Sequence, residues 1–338
     1  MQTLTISDLA ERALIARIMA RATTAPWVVR GPGDDAAVIK PARGTFDVVT
    51  TDALVDGVHF DRRFVPSEAI GHRALAVNLS DLAAMGATPR AALLSLALPG
   101  SLSIESFDQM LDGFLALAAV HHVVLVGGNI TSTPGPLTID VTAIGAARPR
   151  RVLGRDGARP GDEVFVTGRL GDAAVGLQQL RQASDGKTLP IPADPSAADR
   201  YLHPVPRVRA GLLLARNRAA SSCMDLSDGL ADGVHQIAEK SGVGITIDEA
   251  LLPVSPVVRR WQEALGRDPL ELALGGGDDY ELIFTVRPTH KGRLRAVRGV
   301  LGNLPLTRIG VVTRARQVLL KGESGLRSLP SGYEHFRS

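Results

Sequence analysis

Apolar residues recur along this chain in two periods, and those periods predict its elements. Leu9, Leu14, Ile15 and Ile18 share one side of a 3.6-residue period, predicting an amphipathic helix over 7–21 with Ser7 as N-cap. A Gly/Pro turn at 31–35 leads into a short strand at 36–40, and a second strand follows at 46–51. Residues 67–85 read as a long helix, and 93–98 as a strand stopped by Pro99-Gly100. Ser103 caps a helix at 104–119. A buried strand at 123–126 is expected to end at Gly127-Gly128, and another strand spans 137–146.

The pattern restarts at Pro160-Gly161. Strands are expected at 163–167, 219–225, 245–248 and 280–286, and helices at 172–182, 212–217 and 229–240, with Gly242 as a C-cap. Residues 183–200, rich in Ala, Ser, Asp and Pro, read as an exposed excursion. The Pro/Arg stretch 148–161 separates the two patterns, so the expected domains are 1–147 and 148–338. Both halves mix strands with helices, which predicts an α/β or α+β protein in two lobes.

Composition narrows the function. With 338 residues, two domains are the natural expectation, and 45% apolar against 22% charged is ordinary for a globular protein. Aromatics are only 4%, so the core must be aliphatic. The net charge of +3 is spread without a basic stripe or stacking aromatics, which argues against nucleic-acid binding. A lone cysteine, Cys223, excludes an internal disulfide and fits a reducing compartment. Asp8 and Glu11 interrupt the first apolar stretch, so no signal-peptide core is expected there. No apolar run approaches the ~18 residues of a membrane span. A cytoplasmic protein without a membrane partner is the expectation.

Candidate chemistry resides in aspartates. Five clusters place carboxylates at or beside turns or on a helix: Asp34-Asp35, Asp52 with Asp56, Asp81, Asp225 with Asp228, and Asp278-Asp279. A single Asp in a turn ordinarily bonds its own backbone. Repeated pairs repel one another unless a cation neutralises them, and oxygen-only donors without Cys or His select Mg²⁺ or a similar hard cation. On the 67–85 helix, Gly71, Ala74, Asn78, Asp81 and Met85 form one small, polar strip. That strip either faces solvent or turns a carboxylate inward to a metal. Between a strand and a helix, Asp225-Leu226-Ser227-Asp228-Gly229 offers Ser227 or Asp228 as a cap, and free backbone N–H groups there can hold a phosphate. Gly275-Gly276-Gly277 implies close approach by a ligand or by another chain segment.

Two lookalikes fail. Gly31-x-Gly33-x-x-Ala36 is followed by a strand rather than a helix, and Asp34-Asp35 would repel a pyrophosphate. Gly186-Lys187-Thr188 lacks the upstream glycine of a phosphate-binding loop, having Arg181 there. The chain has no HExxH, CxxC or GxSxG motif, and His121-His122 reads as structural.

Taken together, several stretches resemble the thiamine-monophosphate kinases, of the aminoimidazole-ribonucleotide-synthetase-like (PurM-like) superfamily. They are Gly33-Asp34-Asp35-Ala36-Ala37, the run 50–60 (TTDALVDGVHF), the run 74–87 (ALAVNLSDLAAMGA), Asp225-Leu226-Ser227-Asp228-Gly229-Leu230, the run 276–282 (GGDDYEL) and Gly332-Tyr333-Glu334-His335-Phe336. They occur in family order over nearly the whole chain.

The resemblance implies an N-terminal mixed-sheet lobe that dimerises through its sheet, a C-terminal α/β lobe, and ATP at the lobe junction. It implies a kinase making thiamine diphosphate from ATP and thiamine monophosphate. By the same resemblance Asp35, Thr50, Thr51, Asp52, Asp81, Asp225 and Asp228 correspond to Mg²⁺ ligands, with Asp35, Asp52, Asp81 and Asp225 acting catalytically through metal. Gly128, Arg155 and Ser227 correspond to ATP contacts, and His59, Asp278 and Tyr333 to thiamine-phosphate contacts. Asn129 stands where many members carry a metal-ligating Asp. It is expected to ligate through its carbonyl beside ATP, without adding charge. Asp278 replaces a Glu and is one methylene shorter. The alternatives are another ATP-dependent synthetase of the superfamily or a non-catalytic nucleotide sensor. A selenophosphate synthetase would carry a reactive Cys near its N-terminus, and a hydrogenase-maturation relative a terminal Cys. This chain has neither.

Overall fold

The structure is a computed structural model and describes residues 4–331. The chain forms two compact units: residues up to Leu82 with Thr88–Pro149, and Ala83–Ala87 with Arg150 onward.

In the first unit the elements are α1 (Glu11–Arg21), β1 (Val28–Arg30), β2 (Val38–Ile39), β3 (Phe46–Val55), α2 (Ser67–Ala84), β4 (Thr88–Pro99), α3 (Ile104–Val120), β5 (Val124–Thr133) and β6 (Thr138–Ala147). The four-stranded sheet runs β3-β6-β4-β5, with β4 and β5 parallel and the other pairs antiparallel. It is a mixed sheet, as expected. Strand alternation buries Leu94, Leu96, Leu98, Ile139, Val141 and Ala143 on one face, while Val49 on the other is 61% exposed. The β1–β2 hairpin brings Trp27, Val28 and Ile39 against Ala91, Val124 and Val126.

α2 is buried nearly all round, and its contact with α3 depends on two glycines. A Cβ on Gly71 would lie 1.8 Å from the Met110 carbonyl oxygen, and one on Gly113 would lie 2.0 Å from that of Glu68. The two backbones therefore touch where neither helix has a side chain. Ser103 caps α3 as expected, accepting from the Ser106 amide at 3.0 Å.

Three local expectations change. The first helix starts at Glu11, because Leu9 is extended and breaks the run after a short 3₁₀ turn at Ile6–Asp8. Ser7 caps nothing: its hydroxyl donates to the Gly100 carbonyl, while Thr5 and Asp8 bond one another. β5 does not stop at Gly127-Gly128 but continues to Thr133. The register skips one residue between Ala92 and Leu93, a bulge at Val126, and a Cβ on Gly128 would lie 1.9 Å from the Leu94 carbonyl oxygen. Those glycines serve strand pairing, not termination.

The second unit contains β7 (Glu163–Thr167), α4 (Asp172–Ser184), α5 (Pro195–Leu202), α6 (Val208–Arg216), β8 (Ser222–Asp225), α7 (Leu230–Ser241), β9 (Gly244–Asp248), α8 (Pro256–Ala264), α9 (Pro269–Gly275), β10 (Leu282–Val286), α10 (Lys291–Leu301), β11 (Leu306–Thr313), β12 (Val318–Gly322) and β13 (Gly325–Ser328). Its seven-stranded sheet runs β13-β12-β9-β11-β7-β10-β8, antiparallel except for β9 with β12. Val164, Val166, Ile245, Ile247, Ile283 and Trp261 are among its core residues, Trp261 fully buried. Gly242 ends α7 with φ 66°, as expected of a C-cap glycine.

The predicted excursion at 183–200 is partly a packed helix. Asp194 caps α5, and Ala197 and Tyr201 on it are buried, at 0% and 2% exposure. Ala and Tyr spaced by four residues put a narrow apolar stripe on a segment whose composition otherwise looks polar.

Candidate active site

In the first unit Asp81 on α2 is joined to strand β3. Strand alternation on β3 points Thr50 and Asp52 to one face and Thr51 to the other. The Thr50 hydroxyl donates to the Asp81 carboxylate, joining β3 to α2. The strip bearing Asp81 turns inward: Asn78 is fully buried, its amide donates to the Ala74 carbonyl at 3.0 Å, and its Oδ1 has no partner. Asp81 itself is half-buried, in a notch it shares with Thr50.

Thr51 lies apart from that notch. Its hydroxyl donates to Asp140 at 3.1 Å across the opposite face, so its side chain does not join Thr50, Asp52 and Asp81. β3 is an edge strand, and alternate carbonyls on it point away from β6. Thr51 could contribute there only through its backbone. Asp35 is exposed in the β1–β2 turn, where its amide donates to Asp34, itself paired with Arg30. Asn129 is exposed on β5 opposite Ser95, directly after Gly128.

The loop after β3 fixes His59. Its Nδ1 accepts from the Val55 amide at 3.1 Å, which makes Nε2 the protonated nitrogen of the neutral ring. Asp56 accepts from Arg62, closing the same loop.

In the second unit β8 ends in Asp225, only 4% exposed, and the chain turns through Ser227-Asp228-Gly229 into α7. Neither Ser227 nor Asp228 caps the helix. Gly229 is the N-cap, with φ 92°, and has no side chain to bond the first turn. The Ser227 hydroxyl instead donates to Asp228 at 3.2 Å. A glycine N-cap offers the first amides of α7 no side-chain acceptor, an arrangement suited to an anion.

The glycine run resolves as well. A Cβ on Gly277 would lie 2.9 Å from the Ser227 carbonyl oxygen, and one on Gly229 2.8 Å from that of Leu274. The close approach is by another chain segment. The Asp278 amide donates to the Ser227 carbonyl at 2.7 Å and that of Tyr280 to Leu226 at 2.9 Å, so the 278–280 turn lies on the 225–228 turn. Asp278 and Tyr280 both have left-handed backbones, φ 59° and 48°. A bulky residue such as Tyr adopts that conformation only where its surroundings impose it.

Two buried acids shape the turn: Asp279, marked in the sequence as one of a pair, and Glu281, which carried no assignment. Asp279 is 3% exposed and accepts from the Gly171 amide at 2.8 Å. Burial pushes its carboxyl up to about 8, so it is largely protonated at neutral pH. Glu281, 1% exposed, accepts from Thr167, Arg200 and Arg207. Gly168 makes the space: a Cβ there would lie 2.0 Å from Glu281 Oε1. Alternating acids at 279 and 281 at the start of an apolar strand were the available signal. Burial also raises Asp172.

Arg155 is reached through α7. Its guanidinium donates to Gln236, whose amide donates to Asp232 at 2.6 Å. Burial first, and the nearby Asp228 charge after it, raise the Asp232 carboxyl. Tyr333 lies outside the described residues.

Residues 33–147 match the family described as AIR synthase related protein, N-terminal domain, and residues 159–321 its C-terminal domain. The thiamine-monophosphate kinase of Escherichia coli K12 is 38% identical over 335 residues, 96% of this chain and 98% of the relative. That of Bacillus subtilis is 36% identical over 310 residues, 91% and 93% of the two chains. This chain belongs to the thiamine-monophosphate kinase family. Among solved structures, the family's enzyme from Stenotrophomonas maltophilia superposes with a TM-score of 0.80 at 42% identity, covering 94% and 98% of the two chains. AaThiL, a family structure complexed with AMPPCP and TMP, gives 0.76 at 34% identity, covering 99% and 100%. Escherichia coli HypE, at 23% identity and TM-score 0.74 over 95% and 98% of the chains, shares the fold alone.

Whether these acids suit a cation is a question of donor chemistry. Among the described residues no three His, Cys, Asp or Glu side chains form a cluster that could hold a metal ion. The first unit offers Asp81 with the Thr50 hydroxyl, and the second Asp225 and Asp228 around one turn. Mg²⁺ is commonly held by one or two carboxylates, its own waters and substrate phosphates rather than by a protein cage. These oxygen-only pairs fit that mode.

Proposed function

We propose that this chain transfers the γ-phosphoryl group of ATP to the phosphate of thiamine monophosphate, giving thiamine diphosphate and ADP. The observation that carries the reading is family membership over more than nine-tenths of the chain, with the motif acids in the notch beside α2 and in the turn before α7.

In the reaction the bond from the γ-phosphorus to the β–γ bridging oxygen breaks, and a bond to an acceptor phosphate oxygen forms. That acceptor oxygen is already anionic near neutral pH, so no side chain need remove a proton. The obstacle is repulsion between two anions. Asp35, Thr50, Thr51 (through its backbone), Asp52, Asp81, Asn129, Asp225 and Asp228 are the residues to hold Mg²⁺. When bound, that ion supplies charge neutralisation and alignment of the phosphates. Gly128, Asn129, Arg155 and Ser227 are assigned to ATP, where the first amides of α7 and the Arg155 guanidinium attract phosphate oxygens. His59, Asp278 and Tyr333 are assigned to thiamine monophosphate. The His59 Nε2–H is a donor suited to an acceptor on the substrate, and the strained turn fixes the direction of Asp278. Tyr333 supplies an aromatic face for the thiazolium cation.

No helix among the described residues is long and apolar enough to cross a membrane. A cytoplasmic homodimer, paired through the first unit's sheet, completes the proposal. Incubating purified protein with ATP, Mg²⁺ and thiamine monophosphate should yield thiamine diphosphate in proportion to ADP. ADP formed without thiamine diphosphate, or ATP bound without turnover, would sink the reading in favour of another synthetase or a nucleotide sensor.

A further inference from the structure

α7 grips the Arg155 segment at two points. Near its end, the Ser241 hydroxyl donates to the Arg155 carbonyl at 2.8 Å and accepts from the Ala158 amide at 3.1 Å, fixing the backbone. One turn and more upstream, Gln236 accepts from the Arg155 guanidinium. Gln236 and Asp232 are four apart on α7, so they lie on one face, and the Gln236 amide donates to Asp232 Oδ2 at 2.6 Å. A carboxylate that accepts selects the NH₂ end of the Gln236 amide, leaving its carbonyl for Arg155.

The choice of glutamine has a consequence for charge. A carboxylate bonded directly to Arg155 would orient the guanidinium but cancel most of its attraction for a phosphate. An amide carbonyl orients it without adding charge, and Asp232 remains one side chain removed. The same helix starts at the Ser227-Asp228-Gly229 turn, so one rigid element sets Arg155 and those groups in a common frame.

We propose that Gln236, itself oriented by Asp232, is a positioning residue that holds Arg155 toward the ATP polyphosphate with no carboxylate bonded directly to its guanidinium. The proposal rests on reading Arg155 as an ATP contact. It deepens that reading by making glutamine at 236 a determinant of ATP affinity.

The test measures ATP affinity by calorimetry in Mg²⁺, apart from turnover, alongside KM and kcat, with melting temperature as the control for folding. Arg155→Ala should weaken ATP roughly 30-fold, and Gln236→Leu about fivefold with kcat changed less than about twofold. Gln236→Glu, nearly isosteric, should weaken ATP more than Gln236→Leu, about tenfold or beyond, because it neutralises the guanidinium. The double variant Arg155→Ala/Gln236→Leu should bind ATP no more weakly than Arg155→Ala alone. Gln236 variants that leave ATP affinity unchanged while Arg155→Ala lowers it overturn the positioning role and leave the kinase reading standing. So does full additivity in the double variant. If Arg155→Ala itself binds ATP normally, Arg155 is not an ATP contact and the proposal falls. Loss of thiamine diphosphate synthesis in the unaltered protein is the separate failure of the function.

Discussion

The two units hold their acids by different physics. Beside α2, Asp81 is half-buried and accepts from a neutral hydroxyl, within a helix whose position is set by aliphatic packing and by the Gly71 and Gly113 contacts. In the 278–281 turn the acids are themselves the anchors. Glu281 is buried against two arginines, Asp279 is buried and largely neutral, and two left-handed residues lie in the same turn. In the first arrangement, aliphatic packing and helix contact set the position of the helix that carries the carboxylate. In the second, polar burial sets the shape of the backbone turn that carries Asp278, the residue proposed to meet the substrate. On the proposed assignments, acids that look alike in sequence divide into those that act and those that position.

That division is breakable. The largest effect should come from the notch. Asp81→Asn or Asp52→Asn is expected to lower kinase activity on the order of 10²–10³-fold or more, with unfolding free energy within about 1 kcal/mol of the parent. Near-normal activity at saturating Mg²⁺ would show that these acids do not act through a metal. Glu281→Ala should do the converse. It leaves Arg200 and Arg207 facing a void, and loss of a buried partner should cost about 3 kcal/mol in urea unfolding. The value sits at the low end because both arginines retain some contact with water, at 20% and 16% exposure. A stability unchanged by Glu281→Ala would erase the distinction between the two sites.

A smaller effect is expected from pH. The folded Asp279 keeps its proton where the unfolded carboxyl, near 4, has lost it, so stability should fall as pH rises from about 4 toward about 8. Asp279→Asn stays neutral in both states. Its stability profile over that window should be shallower, by up to about one proton. Superimposable profiles would mean the carboxyl is ionised in the fold. The smallest effect should be at Asn129. Asn129→Ala is expected to raise the Mg²⁺ concentration for half-maximal activity by about two- to fivefold, and an unchanged titration would remove it from the ligand set.

Much of the architecture was legible because periodicity records burial. The helices at 67–85 and 104–119 and the strands at 163–167 and 245–248 lie within a residue of their predicted limits. What misled was composition without pairing. Gly127-Gly128 looked like a strand end, yet β4 runs alongside it, and glycine there admits a neighbouring backbone. Residues 183–200 looked exposed until α5 laid Ala197 and Tyr201 into the core. The Asn78–Asp81 strip could face either way, because periodicity places residues on a face without saying what covers it.

By itself, the sequence determined the two-lobed α/β plan, the family and the identity of the acids, since these depend on residue type and order. Tertiary structure alone decided where each acid sits and what it meets. It placed Thr50 with Asp81 and Thr51 on the other face, left α7 capped by Gly229 rather than by Ser227 or Asp228, and buried Asp279 and Glu281. The reason is physical: a carboxylate's role depends on its solvation and its partners, and in this chain those partners come from segments as distant as Arg200 and Glu281 or Thr50 and Asp81.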